Sequence, residues 1–580
     1  MNWSFSCVVW PINPEITPGR PRIAALKTGS VTVGLYHGLR RSGAWTVYGF
    51  LFGREEVGAW RAAPRLASLL GGPLGLLLLL RLAVAPQGAW LLFGFGFAAA
   101  LALFACLALP ILHYVRSPSL FAYLEERFRS RALRQAASLL SAATALLLGA
   151  VCLALAALLA ASLIPAPAWV LALVLGLLGV FPSLLGGLSG SLDLALLLAP
   201  LGQVLVPAVM VVFGLVRGEL RLDGASTDWT GGGAGAEDLN AALVIPFAAL
   251  TSFQLLGASQ SVYQSYAPAA TSRQALLGLL LALPLGLAIA GLLATLALLI
   301  HSQGPSCALS ADAVENLLAA LQRLWTDTPG AMGFSIGGLV SVSLTLCSAT
   351  CLGQATTLWE DFLAPLASSL RQRRQVLSVE VLACACGAVL SLTAALGLAY
   401  VPELTSYVHP AALTANALQI PVTAVFLAGL LLPCCNGKGA GAGLLLGLLL
   451  AAALSAAHFH FHPPLIPSPP CITTTTINIS SSTPLPISTT PGNASDNLSL
   501  PSIIYDDFAD PNNLTNFIDT LTQLLLNDND SSSQPPPTKA LLSSGEEATS
   551  PLLFLLSLSP LLHPVIVFCF TLCIVFIGSL

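Results

Sequence analysis

Residues 135–164 read QAASLLSAATALLLGAVCLALAALLAASLI and contain no charged side chain. A bilayer core of about 30 Å takes about 20 apolar residues of α-helix to cross. Lipid offers the backbone no hydrogen-bond partner, so such a run spans as a helix and not as a lone strand. Runs of the same character fall at about residues 64–86, 89–115, 168–188, 194–216, 241–259, 275–301, 331–358, 377–400, 411–433, 440–457 and 552–578, which with 135–164 makes twelve. A thirteenth, over 23–39, is shorter and more polar, with Lys27, Thr28 and His37 inside it. Only 9% of the 580 residues are charged and 55% are hydrophobic, whereas soluble chains carry roughly 25% charged residues. The composition excludes a water-soluble globule. It implies an all-α polytopic membrane protein of 12–13 transmembrane helices, with the lipid bilayer as its first partner.

The Lys and Arg positions set an orientation, because cytoplasmic loops carry the positive excess. One set of alternate loops holds Arg40, Arg41, Arg54 and Arg61, then Arg127, Arg129, Arg131 and Arg134, then Arg273, Arg371, Arg373, Arg374 and Lys438. The opposite loops hold only Arg217, Arg221, Arg323 and Lys539. The first set is therefore read as cytoplasmic, with the N-terminus outside and the C-terminus inside a plasma membrane. No basic N-region followed by an apolar core marks a cleavable signal peptide. No basic patch with interleaved aromatics points to nucleic acid. No HExxH, nucleophile elbow or carboxylate pair lies within the spans, so an enzyme is not expected and no cofactor is implied.

The chain divides into an extracellular segment 1–22, a transmembrane core 23–457, a loop 458–551, and a final helix with a short cytoplasmic end, 552–580. The loop is rich in Ser, Thr, Pro and Asn and lacks the composition to bury a core. It carries sequons at Asn478, Asn493, Asn497, Asn513 and Asn529, on the side that the charge count places outside. His458, His460 and His462 open it and read as solvated side chains. Cys307 and Cys471 both fall outside and are candidates for a disulfide. Most other cysteines lie within apolar runs, where the thiol behaves as a small hydrophobe.

Four stretches carry more than span composition. Ser117-Pro-Ser-Leu-Phe-Ala-Tyr123-Leu-Glu125-Glu-Arg127-Phe128 forms a short amphipathic cytoplasmic segment. Ser259-Gln260-Ser261-Val262-Tyr263-Gln264-Ser265-Tyr266 closes the span 241–259. Asn436-Gly437-Lys438-Gly439-Ala440, with Gly443, opens the span 440–457. Pro329-Gly330 through Glu360, Asp361 and Pro365 brackets the span 331–358. In order and spacing these resemble the sodium/solute symporter family, whose matching segments run TS-x-Y-E-Y-L-E-x-R-F, N-Q-S-x-V-Q-R-Y, N-x-K-G-A-x-x-G and PG … ED-x-x-x-P. Ser259 stands where that family has Asn, and Ser265 where it has Arg. The long sequon-bearing loop followed by one last helix is most similar to the branch carrying iodide, monocarboxylates and water-soluble vitamins.

The resemblance implies the inverted five-helix repeat of leucine-transporter-type carriers with extra flanking helices. The first helix of each repeat is then broken near the midplane, freeing carbonyls and helix ends for ion and substrate. Gly71-Gly72-Pro73-Leu74-Gly75 supplies a break in the span 64–86, and the second repeat begins at 241–262. Sodium, the implied coupling ion, would be bound by carbonyls around Gly72 and by hydroxyls of the span 331–358. Thr345 falls on the first hydroxyl position and Leu346, without an oxygen, on the second; Ser341 and Ser348 continue the face of Thr345. The plain alternative is that these hydroxyls bond back to their own helix. Gln254, Ser259 and Gln260 are candidates for substrate contact or for bonds to neighbouring helices. Asp193 falls near the family's ion exit, or else is a boundary residue in water. Arg81 is either a snorkelling side chain or an anion counter-charge. The expected function is uptake of a small anion driven by sodium. A sodium-uncoupled carrier, channel-like protein or sensor on the same scaffold is the alternative.

Overall fold

The computed structural model describes residues 20–39, 46–53, 57–70, 90–115, 117–217, 241–302, 313–325, 328, 330–367, 369–401, 404–461 and 562–579. Gly72 and the rest of the expected first break, Arg81, Cys307, Cys471 and the five sequons lie outside these residues. Every described element is helical: α1 (Arg20–Leu39), α2 (Val47–Phe52), α3 (59–70), α4 (Trp90–Leu103), α5 (Leu109–Val115), α6 (Ala122–Phe128) and α7 (Arg131–Ala161) come first. Then follow α8 (Ala168–Ala199), α9 (Val206–Val216), α10 (Ala241–Gly257), α11 (Gln260–Tyr266), α12 (Ser272–Ser302) and α13 (Ala313–Leu324). The last are α14 (Ala331–Leu358), α15 (Gln372–Tyr400), α16 (Leu404–Leu431), α17 (Gly437–Phe461) and α18 (His563–Ile577). One π-turn, Phe104–Ala108, joins α4 to α5; another, Pro200–Leu205, joins α8 to α9; a third, Trp359–Leu363, extends α14. Among the described residues eight helical stretches are long and apolar enough to cross a bilayer, and the chain is a multi-pass membrane protein.

The polar run 23–39 is a helix, and its Ser30 and His37 find partners on α8. The Ser30 hydroxyl donates to the Leu178 carbonyl, and His37 meets Asp193. Gly34 and Gly38 let α1 approach closely: a Cβ on Gly34 would lie 2.6 Å from the Phe181 ring. Small residues at such spacing let membrane helices pack backbone to backbone. The same device seats α18, where Gly439, Gly443 and Gly447 line up along α17 against Ser579, Val575 and Thr571.

α8 is two helices. At Gly187 the backbone takes φ 58° and ψ −138°, and a Cβ on Gly190 would lie 2.1 Å from the Pro182 carbonyl oxygen. Residues eight apart lie about 12 Å apart along a straight helix, so the chain folds back here. The sequence places the two spans at 168–188 and 194–216, on either side of that turn.

α14 is the central element. Every residue from Ser335 to Thr357 is buried, although this helix is less apolar than α7 or the α8 stretch. Burial among helices, not contact with lipid, is what permits its row of Ser, Thr and Gln.

Gly187 sits in a backbone region open in practice to glycine alone, where another residue costs about 1–3 kcal/mol. A Cβ there would also lie 2.3 Å from the Phe50 carbonyl oxygen. Gly187→Val should lower the melting temperature of the detergent-purified protein by several degrees, while Gly441→Ala, with nothing within 4 Å of its Cβ, should leave it unchanged.

Candidate functional site

The second interrupted helix is well defined. α10 ends at Gly257, Ser259 is extended with φ −105° and ψ 117°, and α11 restarts at Gln260. A break inside the membrane frees backbone groups that must be re-satisfied. Here the Ala258 carbonyl accepts from Gln419 Nε2 at 3.2 Å and from Ser141 Oγ at 3.5 Å, and Thr144 Oγ1 holds Gln419 Oε1 at 2.9 Å. Tyr266 Oη donates to the Leu256 carbonyl across the break. These props come from α7, α16 and α11. Nothing in their own runs distinguishes Ser141, Thr144 and Gln419 from other helix hydroxyls and amides.

Three candidate substrate residues flank this break and differ in their surroundings. Gln254, buried on α10, has an Oε1 with no partner among the described residues. Ser259 is the half-buried residue of the break itself and makes no capping bond. Gln260 is fully engaged, with Nε2 donating to the Pro118 carbonyl and Oε1 accepting from Leu120 N–H, both at 2.8 Å.

The candidate ion ligands line one face of α14. Thr345 Oγ1 donates to the Ser341 carbonyl at 2.9 Å, and Ser341 Oγ to the Gly338 carbonyl at 2.6 Å. Back-bonding leaves a lone pair on each hydroxyl. Ser348 Oγ is buried and has no partner among the described residues. Leu346 is buried as well. Ser341 faces the π-turn Pro200–Leu205, where a Cβ on Gly202 would meet its hydroxyl. The same turn meets α3, because Ser68 Oγ donates to Gln203 Oε1 at 3.2 Å. α3, the π-turn and the hydroxyl face of α14 therefore meet.

Asp193 binds α1 and α3 together. Its Oδ1 accepts from Arg61 Nη2 at 2.6 Å and Nε at 2.9 Å, and its Oδ2 is 2.8 Å from His37 Nε2. One turn along α3, Arg65 is wholly buried and donates to Ser265 Oγ at 3.2 Å. Arg65 was missed in the sequence, where the signal was an arginine just inside the apolar run 64–86.

The four sequence motifs converge on α6. Besides the Gln260 pair, Tyr263 Oη donates to the Ser117 carbonyl at 2.7 Å. Arg127 donates to the Gly429, Leu432 and Pro433 carbonyls just before Asn436. Arg134 binds Asp361 through Nε at 2.7 Å and Glu125 through Nη1 at 2.9 Å. His113 Nε2 meets the Ala269 carbonyl, and Val57 N–H the Pro268 carbonyl. Loops that the charge count places together are thus in contact at one end of the bundle.

No protein-family model matches the sequence, and no curated protein matches it. The fold does have solved counterparts. A Na+-coupled sialic acid symporter, in a substrate-bound outward-open state, matches at a TM-score of 0.64 and 17% identity, over 76% of this chain and 92% of that one. The chain shares the fold of that symporter. A manganese transporter from Eremococcus coleocola, mutant H236A, matches at a TM-score of 0.38 and 16% identity over 80% of this chain and 92% of that one, which carries no argument.

Removing one partner of a buried ion pair costs about 3–5 kcal/mol, because the other charge is left alone. Arg134→Met should therefore lower the unfolding temperature sharply, and Arg134→Met with Asp361→Leu should recover much of the loss in a double-mutant cycle. The Arg134 hydrogen bond, helped by that of Arg131 and opposed by desolvation, holds the Glu125 carboxyl below its ordinary 4.5. A depressed carboxyl contributes stability above its unfolded value and loses it as pH falls through the lower folded value. Wild-type protein should keep this contribution at pH 5 and lose it only in stronger acid. In Glu125→Gln that segment of the pH–melting curve should be flatter.

Proposed function

We propose that the chain is a secondary active transporter that couples inward sodium movement to uptake of a small anion by alternating access. The anion is of the monocarboxylate, iodide or vitamin type. The observation that carries this reading is the hydroxyl face of α14, where Ser348 Oγ, beside Thr345 and Ser341, is buried without a partner among the described residues. That face meets α3 across the π-turn, so carbonyls near Gly72 and hydroxyls of α14 would share one ion. The fold likeness to a Na+-coupled symporter supports the reading. Gln254 and Ser259, at the break between α10 and α11, are proposed as substrate contacts, and Gln260 as the residue that anchors the break to the segment before α6. Asp193 is proposed as the ion exit, closed by Arg61 and His37. In this reading the N-terminus is extracellular, the protein resides in the plasma membrane, and Asn478, Asn493, Asn497, Asn513 and Asn529 carry glycans. Leu346 favours one second reading, a carrier on the same scaffold without sodium coupling, because it offers no oxygen at the second hydroxyl position.

Uptake of iodide, short monocarboxylates, biotin and pantothenate into proteoliposomes, in sodium and in choline, separates the two readings. Coupling predicts uptake in sodium that choline does not support. Loss of one ion ligand worth about 1.4 kcal/mol raises a half-saturation tenfold, so Thr345→Ala and Ser348→Ala should each raise that for sodium by about this factor. Equal uptake in both salts would establish the uncoupled carrier.

A further inference from the structure

Among the described residues Arg65 is a buried cation without a counter-charge. None of its surface is exposed. Nη1 donates to Ser265 Oγ, while Nε and Nη2 have no acceptor among the described residues. The acid on the neighbouring turn is already taken, since Asp193 gives one oxygen to Arg61 and the other to His37. Ser265 and Ser261 on the facing α11 are neutral, and the Ser265 hydroxyl is spent on the Ser261 carbonyl. A guanidinium does not release its proton in a protein. A charge removed from water carries a desolvation penalty that bonds to neutral groups do not cancel. Water would satisfy the N–H groups and leave the charge.

A second orphaned donor points the same way. Gln203 is buried on the π-turn before α9, and its Nε2 has no acceptor among the described residues. Gln203 is reached from α3 by Ser68, three residues along from Arg65 and on the same face. Three N–H-bearing nitrogens without an acceptor thus lie on α3 and on a turn that α3 touches through Ser68, with no acid to answer the charge among the described residues.

We propose that Arg65, oriented by Ser265, and Gln203 bind a small monovalent anion, a halide or a carboxylate, between α3 and α11. The anion neutralises the guanidinium and accepts from Nε, Nη2 and the Gln203 amide. Because it would lie between α3 and α11, the bound anion favours the arrangement in which these two helices are closed on each other. The site stands on burial and orphaned donors and does not rest on sodium coupling.

Thermal unfolding of the full-length protein in nanodiscs tests it, in choline salts at constant ionic strength, with methanesulfonate replaced stepwise by chloride, iodide or acetate. A ligand that binds only the folded state raises the melting temperature once its concentration passes Kd. Wild type should show a saturable rise with at least one anion, and the arm that gives it separates halide from carboxylate. In methanesulfonate Arg65→Gln should melt at or above wild type, since the unpaired charge is gone, and should show no rise. Gln203→Leu should move the midpoint about tenfold higher, equivalent to one lost hydrogen bond of about 1.4 kcal/mol. A flat wild-type titration in all three salts overturns the proposal, and so does an unchanged rise in Arg65→Gln. Should Arg65→Gln fail to fold, Gln203→Leu and Ser265→Ala decide, and midpoints equal to wild type in both overturn it. The titration contains no sodium, so sodium-independent uptake would leave its result standing.

Discussion

The guanidinium of Arg134 is shared between Glu125 on α6 and Asp361 at the end of α14. Asp361 is buried, and without that cation its charge would stand alone in an apolar surrounding. The pairing joins the short helix α6 to the central helix α14 and to the start of α7. α6 then serves as an anchor for two further elements. Arg127 takes up three carbonyls at the end of α16, and the Tyr123 ring stacks on Phe426 with centroids 5.5 Å apart. From the other side Gln260 and Tyr263 bind the segment leading into α6, which holds α11 in place. The break in α10–α11 thus depends on α6 as much as on its own residues.

Inside the bundle the governing constraint is that polar groups, backbone or side chain, find partners without water. The Ala258 carbonyl, exposed by the break, meets Gln419 and Ser141. α14 meets the same constraint along its length, with Ser343 donating to the Cys152 carbonyl and Thr356 accepting from Gln264. Against that background the groups left without partners stand out. Ser348, Gln254, Gln203 and Arg65 are buried with a polar atom that has no partner among the described residues, as are Ser191, Ser335 and Gln354 elsewhere in the bundle. Orphaned polar groups are expensive, and those of Ser348, Gln254, Gln203 and Arg65 are the ones on which the proposed sites rest.

α3 shows how one helix face organises that region. Arg61, Arg65 and Ser68 recur at helical spacing, and each reaches a different element: Asp193 on α8, Ser265 on α11 and Gln203 on the π-turn. The stripe links a closed ion pair at one end of α3 to the candidate ion region near the other. Ser265 takes the place of an arginine in the resembled motif, and a guanidinium from α3 reaches that position instead.

Much of the architecture was legible in the sequence because hydropathy in a membrane protein is written in continuous runs. The spans follow from run length and polar interruptions, a broken helix within 241–262 is what the resemblance implies, and the structure puts the turn at Gly187 and the break at Ser259. The motifs were legible as patterns, but their mutual contact was not: Gln260, Arg127 and Arg134 are separated from their partners by more than a hundred residues. The polar run 23–39 read as doubtful because its partners on α8 lie far along the chain. Which hydroxyls of α14 are free and which are bonded back depends on packing that composition does not record, since Ser341, Thr345 and Ser348 differ little as residues. Burial decided the meaning of Arg65. In the sequence it is one more arginine at the edge of an apolar run, and only the helices closing around it make it a charge in need of an anion.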